Sequence, residues 1–361
     1  MQGALRCRRA FEDLCVHANG DVVCSIIDGR GDFVLGNIYH EPLGDVFDGE
    51  RAWQLRRLVV ETAGSYCPAI GKHCPLKHLR VDPGVLPSAQ LRGLAVELTT
   101  ACELQCLACP VRDFTSHVTW RRAFADGGLP FLLWDTLRRS KQHMADVVRR
   151  ALPLRFTSGP HGSMAALLLR GRIPRARAGT LPLDVARRVV REAGCTLERV
   201  DLYSYGEPFL YSGLIDVLRS VRSTHRTATV SVSTNGLSVG EAAEDAIVRE
   251  RLLDWWVFSI DGADPTSYGK YRIGGSFDRA FAHLLRAHRR CAGTGIHVVW
   301  QYIVFRWNDR DDQLLDAIRK AEALGVHLWF DFARTFGRSP RNAEDIEFLA
   351  PYLRPQFALP E

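Results

Sequence analysis

The 361-residue chain lacks long hydrophobic runs, and this absence limits what it can be. No apolar stretch reaches the roughly 18 residues that a membrane-spanning helix needs. The amino-terminal region also lacks the charged-then-apolar order of a secretion signal. We therefore expect a cytoplasmic protein that does not bind membranes. No Gly-x-Gly-x-x-Gly motif opens a helix, which argues against a Rossmann dinucleotide site.

Lysine is scarce, since it supplies five of the 47 basic residues. Over residues 112–178, twelve arginines and one lysine stand against four aspartates, while the rest of the chain sums to −3. Such a local excess indicates an anionic partner. Alternatively, arginine is simply the preferred polar surface residue of this chain. The sequence leaves both interpretations open.

Cysteine is abundant, with ten residues, and in a large chain without a secretion signal it favours metal or redox chemistry over disulfides. Cys102, Cys106 and Cys109 directly follow a strand-like run over 94–100. A structural zinc site wants four closed ligands, and a cubane iron–sulfur cluster has four iron corners to fill. Three thiolates with no fourth nearby would leave one iron open to a small molecule.

Runs rich in β-branched and aromatic residues alternate with helical patterns from residue 94 onward. The predicted strands cover 94–100, 199–205, 228–234, 255–261, 296–305 and 327–334. The predicted helices cover 183–193, 212–223, 239–253, 277–291 and 309–324. Strands joined by helical crossovers are typical of a parallel sheet. Six of them predict an α/β fold of the partial (β/α)6 barrel type, with active-site residues at the carboxyl ends of the strands.

Three segments fall outside this repeat. Residues 1–87 form a small cysteine-rich module that ends in Pro/Gly turn signals. Residues 112–178 are too long for an ordinary strand–helix loop, and we interpret them as a helical insertion after the first strand, a lid or substrate platform over the barrel spanning 88–335. Residues 336–361 form a carboxyl-terminal tail.

The cysteine loop, Cys102-Glu-Leu-Gln-Cys106-Leu-Ala-Cys109-Pro, resembles the signature of the radical S-adenosylmethionine (SAM) superfamily. That resemblance implies a partial barrel and a 4Fe–4S cluster whose free iron is chelated by SAM. It also implies reductive cleavage of SAM to a 5′-deoxyadenosyl radical, chemistry that the cofactor brings and the protein directs.

Motifs at the ends of later strands extend the resemblance. Tyr205-Gly206-Glu207-Pro208 is similar to the superfamily's GEP element, which binds the methionyl ammonium. Polar side chains after the third strand suit a ribose and the SAM carboxylate: Ser233, Thr234 and Asn235. By resemblance, Ser259 and Arg272 would bind the SAM carboxylate, a task suited to arginine. For Asp261, a turn-forming role and a ligand role stay equally open.

The amino-terminal region resembles the SPASM or shorter twitch module, which holds auxiliary 4Fe–4S clusters. Its cysteines include one four-thiolate set, Cys7, Cys24, Cys67 and Cys74, and leave Cys15 over. Asn19-Gly20 is a hairpin signal. The module precedes the barrel here, whereas in the family it normally follows, and its cysteine number favours one auxiliary cluster. Zinc is the alternative metal for this set.

These observations predict a radical SAM oxidoreductase that removes a substrate hydrogen, with the auxiliary cluster accepting the remaining electron. We expect dehydrogenation of a sugar, nucleotide-sugar or aminocyclitol, as in natural product biosynthesis. Peptide modification and carbohydrate epimerisation are the alternatives. A non-catalytic iron–sulfur or zinc protein that binds nucleic acid is a remote one, because few aromatics accompany the arginines. The expected partners are a small, anionic substrate and an electron donor such as flavodoxin or ferredoxin.

Overall fold

The computed structural model describes residues 4–7, 9–26, 28–29, 31, 33–61, 77–81, 88–107, 109, 111, 178–333, 337–341 and 345–354. The predicted helical insertion lies almost entirely outside the described residues. So do two predicted auxiliary ligands, Cys67 and Cys74, and the end of the tail.

Six parallel strands form one side of a nine-stranded sheet, in the order β11-β10-β9-β8-β7-β6 from its edge, and three strands of the amino-terminal region continue the sheet beyond β6. The six are β6 (Gly93–Val96), β7 (Arg199–Asp201), β8 (Thr229–Thr234), β9 (Trp255–Ser259), β10 (His297–Val304) and β11 (His327–Phe332). Each coincides with a predicted strand, and all but β8, which ends at Thr234 as predicted, are shorter at the carboxyl end. The predicted α/β fold with a parallel sheet is confirmed, and over the described residues the sheet is open rather than closed.

Helices connect these strands as the sequence pattern predicts. They are α4 (Leu183–Glu192), α5 (Leu214–Thr224), α6 (Glu241–Glu250), α7 (Pro265–Gly269), α8 (Phe277–Cys291) and α9 (Asp311–Leu324). Their apolar faces cover the sheet, whose largest fully buried side chains include Trp256, Trp300 and Tyr302. The end of α9 at Gly325, with φ of +65°, shows why a glycine stands there.

The amino-terminal residues continue the same sheet. This region contains β1 (Ala4–Cys7), α1 (Arg9–Glu12), β2 (Asp13–Val16), β3 (Asp21–Val23), β4 (Gly36–Asn37), α2 (Leu43–Asp48), α3 (Glu50–Glu61) and β5 (Lys77–Val81). The hairpin predicted at Asn19-Gly20 joins β2 and β3, which pair antiparallel. β2 in turn pairs in parallel with β6, from Asp13 opposite Gly93 to Val16 opposite Val96. The division at residue 87 stays a prediction, but the strand pairing crosses it.

The end of the chain covers the opposite edge of the sheet. A short 3-10 helix spans Glu347–Tyr352, and Leu353 forms a parallel bridge with Phe330 of β11. The Arg354 amide donates to the Phe330 carbonyl at 3.1 Å. Residues 353–354 therefore act as an extra partner for the edge strand.

Candidate active site

The cysteine loop leaves the carboxyl end of β6 and lies against the segment after α7. The Gln105 amide donates to the Ile273 carbonyl at 2.9 Å, and the Leu107 amide donates to the Tyr271 carbonyl at 3.1 Å. Leu104, between the first two cysteines, is buried. Backbone pairing and apolar contact thus position the loop before any ligand binds.

Three free thiols face one another in this loop. Cys106 is buried, and Cys102 and Cys109 are half-buried. Burial, together with the neighbouring Cys106, raises the pKa of Cys102 and of Cys109 to about 12. Metal ions displace thiol protons, so a buried thiol of high pKa still becomes a thiolate on ligation. The donor set fits a cluster.

Two side-chain N–H groups point at these sulfurs. Arg272 Nη1 lies 3.8 Å from Cys106 Sγ, and Asn235 Nδ2 lies 3.8 Å from Cys102 Sγ. Such donors stabilise a negatively charged cluster and tune its potential. Within the described part of the chain, no three His, Cys, Asp or Glu side chains surround a single-ion position. A cubane spaces its cysteines more widely, since each binds a different iron.

The predicted GEP turn lies directly against the cysteine loop. The Glu207 amide donates to the Ala101 carbonyl at 2.7 Å. Gly206 has φ of +79°, and a Cβ there would stand 2.1 Å from the Thr99 carbonyl oxygen. Pro208 begins a 3-10 turn over Pro208–Leu210. Glycine is therefore required both by the backbone conformation and by the close approach of the two loops.

The Glu207 side chain is buried, and its carboxylate forms hydrogen bonds within the protein. It accepts from the Thr234 hydroxyl at 2.7 Å, the Asn235 amide at 2.8 Å and the Phe209 amide at 3.1 Å. Burial raises the pKa of Glu207 to about 7, and these hydrogen bonds oppose that rise. Glu207 thus fastens the GEP turn to the end of β8.

The predicted polar residues of β8 and β9 separate into two groups. Ser233 and Ser259 hydroxyls lie 2.9 Å apart, and Ser259 also reaches Gln301 of β10 at 3.5 Å. Thr234 is engaged by Glu207, and Asn235 donates to Glu103 Oε2 at 3.1 Å. The half-exposed serines are hence available to a ligand, whereas the other two brace the loops around it.

Arg272 pairs with the residue whose role the sequence leaves open. Its Nε donates to Asp261 Oδ2 at 2.6 Å, and Asp261 Oδ1 accepts from the Ile303 amide at 2.7 Å. Asp261 is fully buried. Its role here is to hold Arg272 beside Cys106, while the predicted contact between Arg272 and the SAM carboxylate stays a prediction.

The amino-terminal cysteines are partly brought together. Burial raises the pKa of Cys24 well above its ordinary value, and the nearby Cys7 raises it further. Cys7 is therefore near enough to influence Cys24, and the assignment of both as ligands of one metal site stays a prediction. Cys15 is separate from them, fully buried in a small cluster with Val23 and Ala95.

Two acidic residues that sequence reasoning missed tie these parts together. Glu97, fully buried after β6, accepts from the Ala18 amide at 3.2 Å and from the Tyr205 amide at 3.1 Å. It thereby joins the amino-terminal hairpin to the GEP turn. Glu103 accepts from Asn235 and from the Ser238 hydroxyl at 2.5 Å. The sequence did contain a signal for Glu97, because it is a single acidic residue within the largely apolar predicted strand over 94–100.

Sequence reasoning also missed a residue pair across the sheet. Arg354 Nη2 donates to the Tyr203 hydroxyl at 3.0 Å, and its guanidinium lies over the Trp329 ring at 5.9 Å. Tyr203 follows β7, whereas Trp329 belongs to β11 at the far edge. Arg354 therefore links the loop after β7 to the edge strand β11. No local sequence signal marks it, because its neighbours are distant in sequence.

Parts of the chain are similar in sequence to known proteins. Residues 7–75 match the SPASM family, described as an iron–sulfur cluster-binding domain. A GTP 3′,8-cyclase of Limosilactobacillus fermentum is 27% identical over 127 residues, which cover 35% of this chain and 36% of the cyclase. The match thus spans about a third of the curated relative.

Similar solved structures include methylornithine synthase, with a TM-score of 0.42, 15% identity, and coverage of 71% of this chain and 60% of that one. Native anSMEcpe with bound AdoMet gives a TM-score of 0.38 and 12% identity over 68% of this chain and 55% of that one. A radical SAM methyltransferase from Sphaerobacter thermophilus gives a TM-score of 0.36 and 21% sequence identity, over 53% of this chain and 58% of that one. These likenesses are partial.

The SPASM match, the relation to the cyclase and the three-cysteine loop with its GEP turn support a radical SAM enzyme. Residues 7–75 are thus similar to a module that binds an iron–sulfur cluster, and the three-cysteine loop supplies a second set of thiols that fits one. Among the described residues, no helix is both long and apolar enough to cross a membrane.

Proposed function

We propose that this enzyme dehydrogenates a sugar, nucleotide-sugar or aminocyclitol by radical SAM chemistry. The observation that carries the proposal is the direct pairing of β2 with β6. β2 belongs to the hairpin that bears Cys24, and β6 leads into the loop that bears Cys102. One continuous sheet therefore joins the strand that leads into the SAM-cluster loop to the hairpin that bears Cys24, so the two cysteine sets belong to one folded unit.

When bound, the cofactors supply a 5′-deoxyadenosyl radical that takes one substrate hydrogen atom, and the auxiliary cluster takes the electron left after a proton departs. The protein's own residues bind and position the reactants. Ser233, Ser259 and Gln301 offer hydroxyl and amide groups to a ribose or sugar. Buried Leu104 keeps water from the cysteines. Glu207 and Asp261 hold the GEP turn and Arg272 in place.

A polar, negatively charged substrate suits the region between the loop after β7 and the edge strand β11. Arg354 and Tyr203 supply a guanidinium and a hydroxyl there, and Arg354 Nε is buried without a partner among the described residues. A substrate carboxylate or phosphate would satisfy it. The reductant that starts each turnover would be a flavodoxin or ferredoxin.

Epimerisation needs a thiol that returns a hydrogen atom to the substrate. Cys15 of β2, the cysteine of the amino-terminal region that belongs to neither predicted ligand set, is fully buried against Val23 and Ala95. A thiol enclosed by its own core is poorly placed to meet a substrate radical. Dehydrogenation is therefore the better proposal.

Measuring 5′-deoxyadenosine from anaerobically reconstituted protein tests the proposal. We expect slow uncoupled formation with SAM and reductant, and clear stimulation by an accepted sugar together with an oxidised product. A peptide-modifying enzyme would stay at its uncoupled rate with sugars, and a binding protein would form none. An epimerised rather than oxidised sugar product would contradict dehydrogenation.

A further inference from the structure

An arginine-rich surface lies beyond the carboxyl end of β10. The cysteine loop leaves β6 at the same end of the parallel strands. The surface forms an open depression of about 730 Å³. Its lining includes Arg306, Arg310, Arg338, Arg341, Asp309 and Ser339. The volume is in the range of small-molecule sites. We call it the arginine pocket.

The backbone around the pocket is tightly built. Phe305 and Arg338 form an antiparallel bridge, and the Arg306 amide donates to the Gly337 carbonyl at 2.9 Å. Gly337 has φ of +70°, and a Cβ there would stand 2.3 Å from the Trp307 ring. This turn brings Arg306 and Arg338, 32 residues apart in sequence, onto adjacent backbone positions.

Two of the four arginines are already neutralised. Arg310 donates to the Asp312 carboxylate at 2.7 and 3.0 Å. Arg341 donates to Asp311 at 2.7 Å and to the Asp309 carbonyl at 2.7 Å. These two cations therefore contribute shape and hydrogen bonds more than net charge.

The other two arginines carry uncompensated charge. Arg306 and Arg338 are exposed, and within the described residues neither guanidinium forms an ion pair or a hydrogen bond. The acidic side chain in the lining, Asp309, accepts from the Ser339 hydroxyl at 2.6 Å and is buried. Arg306 and Arg338 line one depression from neighbouring backbone positions, and arginine binds the oxygens of a phosphate or diphosphate in bidentate fashion.

Aromatic packing connects the pocket to the cysteine loop. The Trp307 and Phe305 rings stack at 4.7 Å, and Phe305 contacts Tyr271 at 4.3 Å between ring centres. Tyr271 in turn accepts the backbone hydrogen bond of Leu107. The pocket and the cluster loop thus share one rigid platform, as expected for two parts of one active-site mouth.

We propose that the arginine pocket binds the phosphate or diphosphate group of a small-molecule substrate through Arg306 and Arg338. The proposal deepens the proposed function and rests on it for the identity of the ligand as substrate. The residues of the arginine pocket do not belong to the arginine-rich segment over residues 112–178, which lies almost entirely outside the described residues. Two guanidinium groups on neighbouring backbone positions favour a small phosphate-bearing anion, and docking of an acidic protein is an alternative outcome of the test.

Isothermal titration of the full-length protein with inorganic pyrophosphate tests the pocket without the radical reaction. We expect saturable binding that weakens as salt rises. Arg306→Gln or Arg338→Gln should each weaken it about tenfold, and the double variant about 100-fold, as expected when charge-assisted hydrogen bonds are lost. Arg306→Lys should fall in between, because it keeps the charge without the planar fork.

Arg319→Gln is the matched control, since Arg319 is an exposed arginine of α9 that pairs with Asp316 outside the pocket. Its affinity for pyrophosphate should equal that of the wild type. Circular dichroism melting of each variant checks folding, and the Lys variant covers the case in which a Gln variant fails to fold. Equal affinity in the double variant and the wild type would overturn the pocket.

Two further results separate the possibilities. Absence of pyrophosphate binding, together with salt-dependent binding of flavodoxin that the double variant loses, would overturn the small-anion proposal in favour of protein docking. Wild-type protein that binds pyrophosphate but never forms 5′-deoxyadenosine would instead refute the proposed function, leaving the phosphate site in place but not as a substrate site.

Discussion

The Arg272 guanidinium donates to the fully buried Asp261 carboxylate at 2.6 Å and at the same time faces the Cys106 sulfur. The other oxygen of Asp261 accepts from the Ile303 amide in β10. The Asp261 carboxylate thus connects Arg272, which lies beside the cysteine loop, to strand β10 of the sheet. Both charges are shielded from water, so their attraction is weakly screened.

Asp261→Asn should destabilise the fold by about 3 kcal/mol, because breaking a buried ion pair leaves an uncompensated charge. Asparagine keeps an oxygen for the Ile303 amide, so the loss reports mainly on Arg272. Urea unfolding of the metal-free protein measures it. Asp312→Asn is the control, since Asp312 and Arg310 are both largely exposed and should contribute at most about 1 kcal/mol. If both variants lose the same free energy of unfolding, the buried ion pair of Asp261 with Arg272 is not more stabilising than the exposed pair of Asp312 with Arg310.

Gly206→Ala should destabilise the protein far more than Gly194→Ala. The two glycines have nearly the same φ, +79° and +78°, so both substitutions carry a left-handed strain of about 1–2 kcal/mol. A Cβ at Gly194 meets nothing within 4 Å, whereas one at Gly206 collides with the Thr99 carbonyl. Melting temperatures of the two variants compare the costs. If they fall equally, the GEP turn does not press on the cysteine loop as described.

Glu207 should make the stability depend on pH. Its pKa rises from 4.5 to about 7 on folding, so between these values the folded protein binds a proton that the unfolded chain releases. The contribution is fully present below pH 4.5 and is lost as the pH rises through 7, about 3 kcal/mol in all.

The melting-temperature advantage of wild type over Glu207→Gln should therefore shrink from pH 5 to pH 8. Glu250→Gln is the control, because Arg219 holds the pKa of Glu250 at about 2 and this exposed group stays ionised throughout that range. A constant difference for Glu207→Gln would show that the carboxyl does not titrate there.

Cys106→Ala should abolish 5′-deoxyadenosine formation, since two thiolates do not hold the SAM cluster. Cys24→Ala and Cys67→Ala should lower the iron content but spare uncoupled formation of 5′-deoxyadenosine while stopping product formation. Cys195→Ala, at an exposed thiol, should change neither quantity. Full turnover in Cys24→Ala would remove the auxiliary cluster from the reaction.

Local patterns predicted the elements well where the pattern is periodic. The helix over 277–291 coincides with α8, and the strand over 255–261 contains β9. Most strand ends were predicted too long, because the polar residues that follow these strands, such as Ser204 and Asp261, continue the composition but turn into loops. The pairing of β2 with β6 had no sequence signal, since short strands carry no mark of their distant partners.

The sequence by itself determined the chemistry: three cysteines in one loop, the GEP turn and a second cysteine set, because ligand type and spacing are local properties of the chain. The tertiary structure decided which of the predicted cofactor-binding side chains are already hydrogen-bonded within the protein. It engaged Thr234 and Asn235 with Glu207 and Glu103, placed Asp261 beneath Arg272, and brought Arg306 next to Arg338. Those partners are far apart in sequence, so packing of the sheet and its loops alone could bring them together.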